Sequence, residues 1–285
     1  MQGPTAQLVA ICCHFNGVAR GLAVGPFFPA NSTCQFCEFV HFVRHSQSHA
    51  GTDEWDLIAG TPDEWFAREA RRGRFAILTH QRVNAPLISD RMSAGFVGGG
   101  GQWLLAVCEN GRSDLWQPAW QVGNRQAADR RIWRVHYSLG EENAELAPPK
   151  LRSIETVSNE LRRALSDALD FADEHRIEPF ADDFRKAIRC LSAADPFAEV
   201  YHKDLAPDGV LDLPAKQLLA ACQAAWVFGG MGSWNDMGFE GAVQERYDRL
   251  SELLFSLLNE AICVGANSTA MPSPVAEKSD HWKKA

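Results

Sequence analysis

No apolar run in this chain approaches the ~20 residues needed to cross a bilayer, which excludes a hydrophobic spanning helix. The best N-terminal candidate for a secretory core, LVAICC at residues 8–13, is too short and has no basic residue before it. The expected location is therefore the cytoplasm. Cysteine is sparse: eight residues scattered from Cys12 to Cys263 exclude the dense disulfide framework of a small secreted domain. The Asn-Ser-Thr triplets at Asn31 and Asn267 then read as chance matches to the glycosylation pattern. Basic charge is not in surplus either. Residues 1–150 balance 14 basic against 14 acidic side chains, so the whole net charge of −8 lies in residues 151–285. An acidic half repels phosphates, so no nucleic-acid partner is expected, whereas a basic protein partner is permitted. Complete catalytic signatures are missing as well. There is no G-x-S-x-G, no H-E-x-x-H and no phosphate loop, and the acidic residues of YHKDLAPDGVLD do not match calcium-loop spacing.

What is present is an ordinary globular composition, 46% hydrophobic and 22% charged over 285 residues, enough for a proper core. The first half carries strand signals. Asn16-Gly17 and Asn110-Gly111 each lie between β-prone runs, and Asn-Gly accepts the positive φ angles of a tight hairpin turn. Pro118 lacks an amide donor and belongs at an edge or bulge. From Ile132 to Leu139, Trp133, Val135, Tyr137 and Leu139 alternate with Arg134, His136 and Ser138, one face inward and one outward. A helix interrupts these strands: Thr61 is its N-cap, Pro62 its first residue and Glu64 its N3, Gly73 ends it, and RFAILTH follows as a strand.

LAPPK, residues 146–150, marks a boundary, because proline excludes helix there. Beyond it the period changes to that of helices. Ile154, Val157, Leu161, Leu165, Ala168 and Ala172 form one apolar stripe, and Phe180, Phe184, Ala187, Ile188 and Leu191 the next. Pro214 opens a third, and Val243 through Val264 supplies the longest. The expected fold class is α+β: an N-terminal antiparallel β-sheet domain with one or two helices over 1–147, then a C-terminal α-helical bundle over 150–270. Residues 271–285 lack a stripe and read as a disordered tail. The two halves are expected to pack through the apolar faces of both.

The segment STCQFCEFVHFVRH, residues 32–45, concentrates soft ligands. At ~100° per residue it sorts as a helix, with Phe36, Phe39, Val40 and Val43 on one side and Cys34, Cys37, His41, His45 and His49 on the other. Four ligands on one straight helix cannot converge on one ion. Pairs one turn apart can, so Cys37, His41 and His45 are the candidate metal ligands, with zinc the implied ion and Cys12, Cys13 or His14 as further donors. The competing reading is a packed helix face whose buried cysteines act as small hydrophobes. A redox role for Cys34-x-x-Cys37 lacks the flanking βαβ pattern.

Two glycine-rich stretches remain, GFVGGGGQW from Gly95 and FGGMGSWNDMGFEG from Phe228. The second is long for a connection between helices. Its Trp234, Asn235 and Asp236 are candidates for partner or ligand binding, with Trp234 as anchor. In the competing reading Trp234 plugs the end of the bundle. Two functions follow. One is an acidic binding or interaction protein, inhibitor-like toward a basic partner. The other is an enzyme with its site between the two halves, lined by the glycine loops, and a metal-assisted hydrolase if the Cys/His segment holds metal.

Overall fold

A run that is apolar at every position suits a fully buried helix as well as a buried strand. Residues 8–13 are such a run, and they lie within helix α1 (Gly3–Ala19), which is buried from Thr5 to Gly17. The expected hairpin at Asn16-Gly17 is thereby corrected, because tertiary burial on all sides selects the helix. The computed structural model describes residues 1, 3–47, 53–83, 89–96, 99–145 and 152–270. After α1 the described chain runs through β1 (Cys37–Gln47), β2 (Asp53–Ala59), α2 (Pro62–Ala70), β3 (Phe75–Gln81), the short α3 (Asp90–Ser93), β4 (Gln102–Glu109), β5 (Arg112–Val122) and β6 (Trp133–Ala144). Helices α4 (Ile154–Glu174), α5 (Glu178–Cys190), α6 (Leu213–Ala224) and α7 (Gly241–Asn267) follow. The fold is α+β, with the sheet in the N-terminal half and helices in the C-terminal half.

The six strands form one sheet in the order β2-β1-β6-β5-β4-β3. Five strand pairs bear on it: four are antiparallel, and β1 with β6 is parallel, so the sheet is mixed. Local turn chemistry builds the β4–β5 hairpin as expected, with φ of 50° at Asn110 and 80° at Gly111. The cap of α2 also follows its sequence: the Thr61 hydroxyl accepts from the Glu64 amide, and Glu64 accepts from the Gly60 amide at 2.8 Å.

The Cys/His segment is strand β1, preceded by a 3-10 turn at Ser32–Cys34 that Asn31 caps, and not a helix. The misreading has a physical source. The strand pairing shifts register between Cys37 and Phe39 and again between Phe42 and Val43. Such bulges break the two-residue alternation by which a strand declares itself.

Edge strand β3 shows why Asn16 is present. Its amide accepts from the Ala76 N–H at 2.7 Å and donates to the Ala76 carbonyl at 2.9 Å. Asn267, at the end of α7, does the same for Leu78, at 2.7 and 2.8 Å. Two asparagine side chains thus pair the outer edge of β3 with helices α1 and α7, where another strand would otherwise fit. Both Asn267 and Asn31 are buried and hydrogen-bonded, which accounts for the Asn-Ser-Thr matches without glycosylation.

One apolar core runs through both halves, from Val40, Trp65 and Tyr137 of the first to Leu161, Phe184 and Leu258 of the second. The stripes of α4 and α7 are buried as their spacing requires, at Val157, Leu161 and Leu165 and at Leu254, Leu257 and Ala261. The proposed boundary at 146–150 and the tail at 271–285 lie outside the described residues. Among the described residues no helix is long and apolar enough to cross a membrane.

Candidate functional site: an aromatic cleft between sheet and helices

Strand alternation sets the site. The inward rows are Trp103, Leu105 and Val107 on β4, Trp116, Pro118 and Trp120 on β5, and Trp133, Val135 and Tyr137 on β6. Leu105, Val107, Trp116, Val135 and Tyr137 are buried in the core, while Trp103, Trp120 and Trp133 are only half-buried. Pairing of β4 to β5 reaches only from Glu109↔Arg112 to Leu105↔Trp116. Past Trp116, β5 keeps β6 as its partner, and Pro118 lies opposite Tyr137. The proline therefore sits just beyond the last β4–β5 pair, in keeping with its missing donor.

A cleft of about 1190 Å³ occupies this splay. Its floor carries Trp103, Trp120 and Trp133. One end is the first turn of α1, at Gly3, Pro4 and Thr5, and the far wall comes from the helical half, through Tyr201, His202 and Trp226. Trp120 and Trp133 meet edge to face, 5.9 Å between centroids. Phe36, Phe96 and Tyr201 are exposed at the cleft, and the Tyr201 hydroxyl reaches across to Gln35 at 2.7 Å. Not one of the described lining residues is Asp, Glu, Lys or Arg. The polar groups are neutral: Thr5, Ser32, Thr33, Gln102, Gln117 and Gln121, besides His202.

The first glycine loop forms part of this wall, at Gly95 and Gly99 to Gly101. The glycines answer close approach. A Cβ on Gly95 would lie 2.2 Å from the Gly229 carbonyl carbon, so the two glycine-rich loops touch backbone to backbone. Gly101 has φ of 88° and lies against His80, whose Nε2 bonds the Gly100 carbonyl at 2.9 Å. Arg91 on α3 anchors the loop to the bundle. It donates to Glu252 at 2.9 Å and to Asn235 at 3.0 Å, and its carbonyl accepts from Asn235 at 2.8 Å.

The binding loop read from sequence sits elsewhere. Trp234 is fully buried among Phe171, Phe180, Phe184 and Tyr247, and its indole N–H donates to Ser251 at 2.7 Å. It plugs the bundle and cannot serve as an exposed anchor. Asn235 is committed to Arg91, and Asp236 accepts from the Gly232 amide within its own loop.

Nor does the structure bring Cys37 and His41 together. Cys37 faces the core, where Gln7 of α1 donates toward both Cys34 and Cys37 sulfurs, at 3.7 and 3.6 Å. Burial pushes the Cys34 thiol up to about 12 and Cys37 to about 11, so both stay protonated at neutral pH. His41 stacks on Phe39 at 3.9 Å and stands near His136, at 5.9 Å. The side chain of His45 lies outside the described residues. Among the described residues no three ligand side chains are grouped to hold an ion.

What the fold does assemble is Ser32, His202 and Asp204. The Ser32 hydroxyl lies 2.8 Å from His202 Nδ1 and bonds Asp204 Oδ1, and the Ser32 amide donates to Asp204 Oδ2 at 2.7 Å. A serine hydrolase places its carboxylate on the histidine. Here the carboxylate holds the serine, which is a clamp on the 3-10 turn and not an activated nucleophile. The His202 backbone is fixed by Gln223, through bonds of 3.0 Å to its N–H and its carbonyl. Sequence reasoning missed this group because 170 positions separate Ser32 from His202. The three cleft tryptophans of the sheet did leave a signal, since each ends an inward row of alternating residues.

No protein-family model matches the chain, and no curated protein or solved structure shows significant similarity to it.

Proposed function

We propose that this protein binds an uncharged, ring-bearing small molecule in the cleft between its sheet and its helices. The carrying observation is the lining: four tryptophans, Trp103, Trp120, Trp133 and Trp226, converge on about 1190 Å³ with no charged side chain among the described walls. A ligand charge would have to shed water with nothing to pair it, whereas flat apolar faces gain contact on indole rings. The volume lies somewhat above the ~300–1,000 Å³ of ordinary ligand pockets, and a few neutral polar groups among aromatics are the usual composition of such sites. The expected basic protein partner has weaker support. Some exposed acids of the helical half are already paired with arginines, as Glu160 and Glu260 are with Arg152, Asp173 with Arg185, and Glu174 with Arg246.

The test is a calorimetric titration with uncharged bicyclic aromatics, 2-naphthol first, against the wild type and Trp120→Ala. Saturable one-to-one binding that weakens at least tenfold in the variant supports the reading. Binding left unchanged by Trp120→Ala and by Trp133→Ala would remove the cleft as the site.

A further inference from the structure

We propose that His202 is the polar recognition point of the cleft, its Nε2 accepting a hydrogen bond from a hydroxyl or N–H on the ligand. This rests on the cleft being a ligand site, and it adds the chemistry by which one neutral ring compound is told from another.

The argument is one of proton placement. The Ser32 hydroxyl has a single proton and two neighbours, Asp204 Oδ1 and His202 Nδ1. A carboxylate oxygen brings no proton of its own. Two bare oxygens that close would repel, so the hydroxyl proton points to Asp204. Nδ1 lies 2.8 Å from the serine oxygen and must then carry the other proton and donate it. That leaves Nε2 with a lone pair and no proton. The Asp204–Ser32 clamp thus fixes the histidine tautomer through an intervening hydroxyl, as outer-shell partners fix imidazoles elsewhere.

Position completes the case. The His202 side chain is nine-tenths buried, at 8% exposure, and lines the cleft. Its Nδ1 has a partner, and Nε2 has none among the described residues. Burial lowers the imidazole below its ordinary 6.5, which keeps the ring neutral at pH 7 and the acceptor available. The cleft that His202 lines has aromatic walls and no charged side chain among its described lining residues, so a hydrogen bond made there is stronger than one in open water. A ligand donor that meets Nε2 gains accordingly.

The experiment compares two probes of nearly the same shape, 2-naphthol and 2-methoxynaphthalene, of which only the first can donate. Wild type is expected to bind 2-naphthol about tenfold more tightly. His202→Phe is expected to bind both equally. Trp120→Ala is expected to weaken both while keeping their ratio. On the wild type, 15N spectra should show His202 with a protonated Nδ1 and a bare Nε2, once its signals are assigned apart from those of buried His14, whose Nδ1 donates to the Ala10 carbonyl at 2.8 Å. The His202 Nε2 signal should move with 2-naphthol and stay still with 2-methoxynaphthalene; this spectrum decides the matter if His202→Phe does not fold. Equal affinities in the wild type, a preference that survives His202→Phe, or an Nε2 signal blind to bound 2-naphthol would overturn the role of His202 and leave the cleft reading intact. Binding of neither probe would overturn both.

Discussion

Trp234 and the cleft tryptophans are the same side chain put to opposite uses. Around Trp234 every surface is occupied: Phe171, Phe180, Phe184 and Tyr247 cover the ring, Ser251 takes the indole proton, and the Tyr247 hydroxyl donates to the Trp234 carbonyl. Trp103, Trp120, Trp133 and Trp226 line open space instead. The difference does not lie in an unpaired indole N–H. Trp120 and Trp226 have one, but so do Trp65 and Trp116, deep in the core. It lies in what stands against the ring face. A ring covered by protein stabilises the fold, while a ring facing a cleft holds its apolar surface for something else.

The contrast can be broken at several points. The largest expected effect is Trp234→Ala, which should cost about 3–5 kcal/mol in denaturant unfolding, the scale of a fully buried aromatic truncation. A cost below 1 kcal/mol would mean that the ring is not the bundle's plug. Next comes Asn16→Leu. It removes the side-chain amide from the Ala76 N–H and carbonyl at the covered sheet edge, leaving the carbonyl only the weak Cys12 thiol donor at 3.7 Å, and roughly 2–3 kcal/mol should be lost. Urea titration reads it, and faster hydrogen exchange at Ala76 would localise it to β3.

A third effect is pH-dependent and draws on a buried histidine of the packed interior, His14, and on one behind the cleft wall, His80. Burial lowers His14 and His80 below 6.5, so on acidification the unfolded chain takes up protons first. Stability should fall as pH drops below about 6.5, by at most about 1.4 kcal/mol per pH unit for each group. The raised thiols act in the opposite sense. With Cys34 at about 12 and Cys37 at about 11 against an ordinary 9.0, the unfolded chain ionises first, and stability should decline above pH 9. Melting temperatures from pH 4 to 11 should trace a plateau between those two limbs. A profile flat below pH 6 would contradict the burial of the two histidines. The smallest expected effect on stability is Trp120→Ala, about 1 kcal/mol or less, because the ring is half-exposed to the cleft. Paired with a loss of probe binding, that result would sharpen the contrast with Trp234. A cost near that of Trp234→Ala would erase it.

Legibility followed locality. The α2 cap at Thr61, Pro62 and Glu64 and the hairpin at Asn110-Gly111 were readable because each motif satisfies its own backbone within a few residues. The helical stripes were readable because their period is a property of one element. Asn16-Gly17 misled for the same reason in reverse: the dipeptide is a turn signal locally, but its asparagine is spent on Ala76, 60 positions away. The Cys/His segment misled because two register shifts in β1 disguise its period. Of the site, the inward row ending in Trp133 was visible as alternation, and the first glycine loop as composition. Their meeting with Trp226, Ser32 and His202 was not.

The amino-acid order by itself settled the change of period between the two halves, the capped helix, the second Asn-Gly hairpin and which residues face inward on β6. Those rest on bonds and steric limits among near neighbours. Only the tertiary structure decided that residues 8–15 are helix, that Trp234 is sealed while the cleft tryptophans are not, and that one serine hydroxyl meets both a histidine and an aspartate. Burial on every side and contact across 170 positions arise from packing, and no local pattern encodes them.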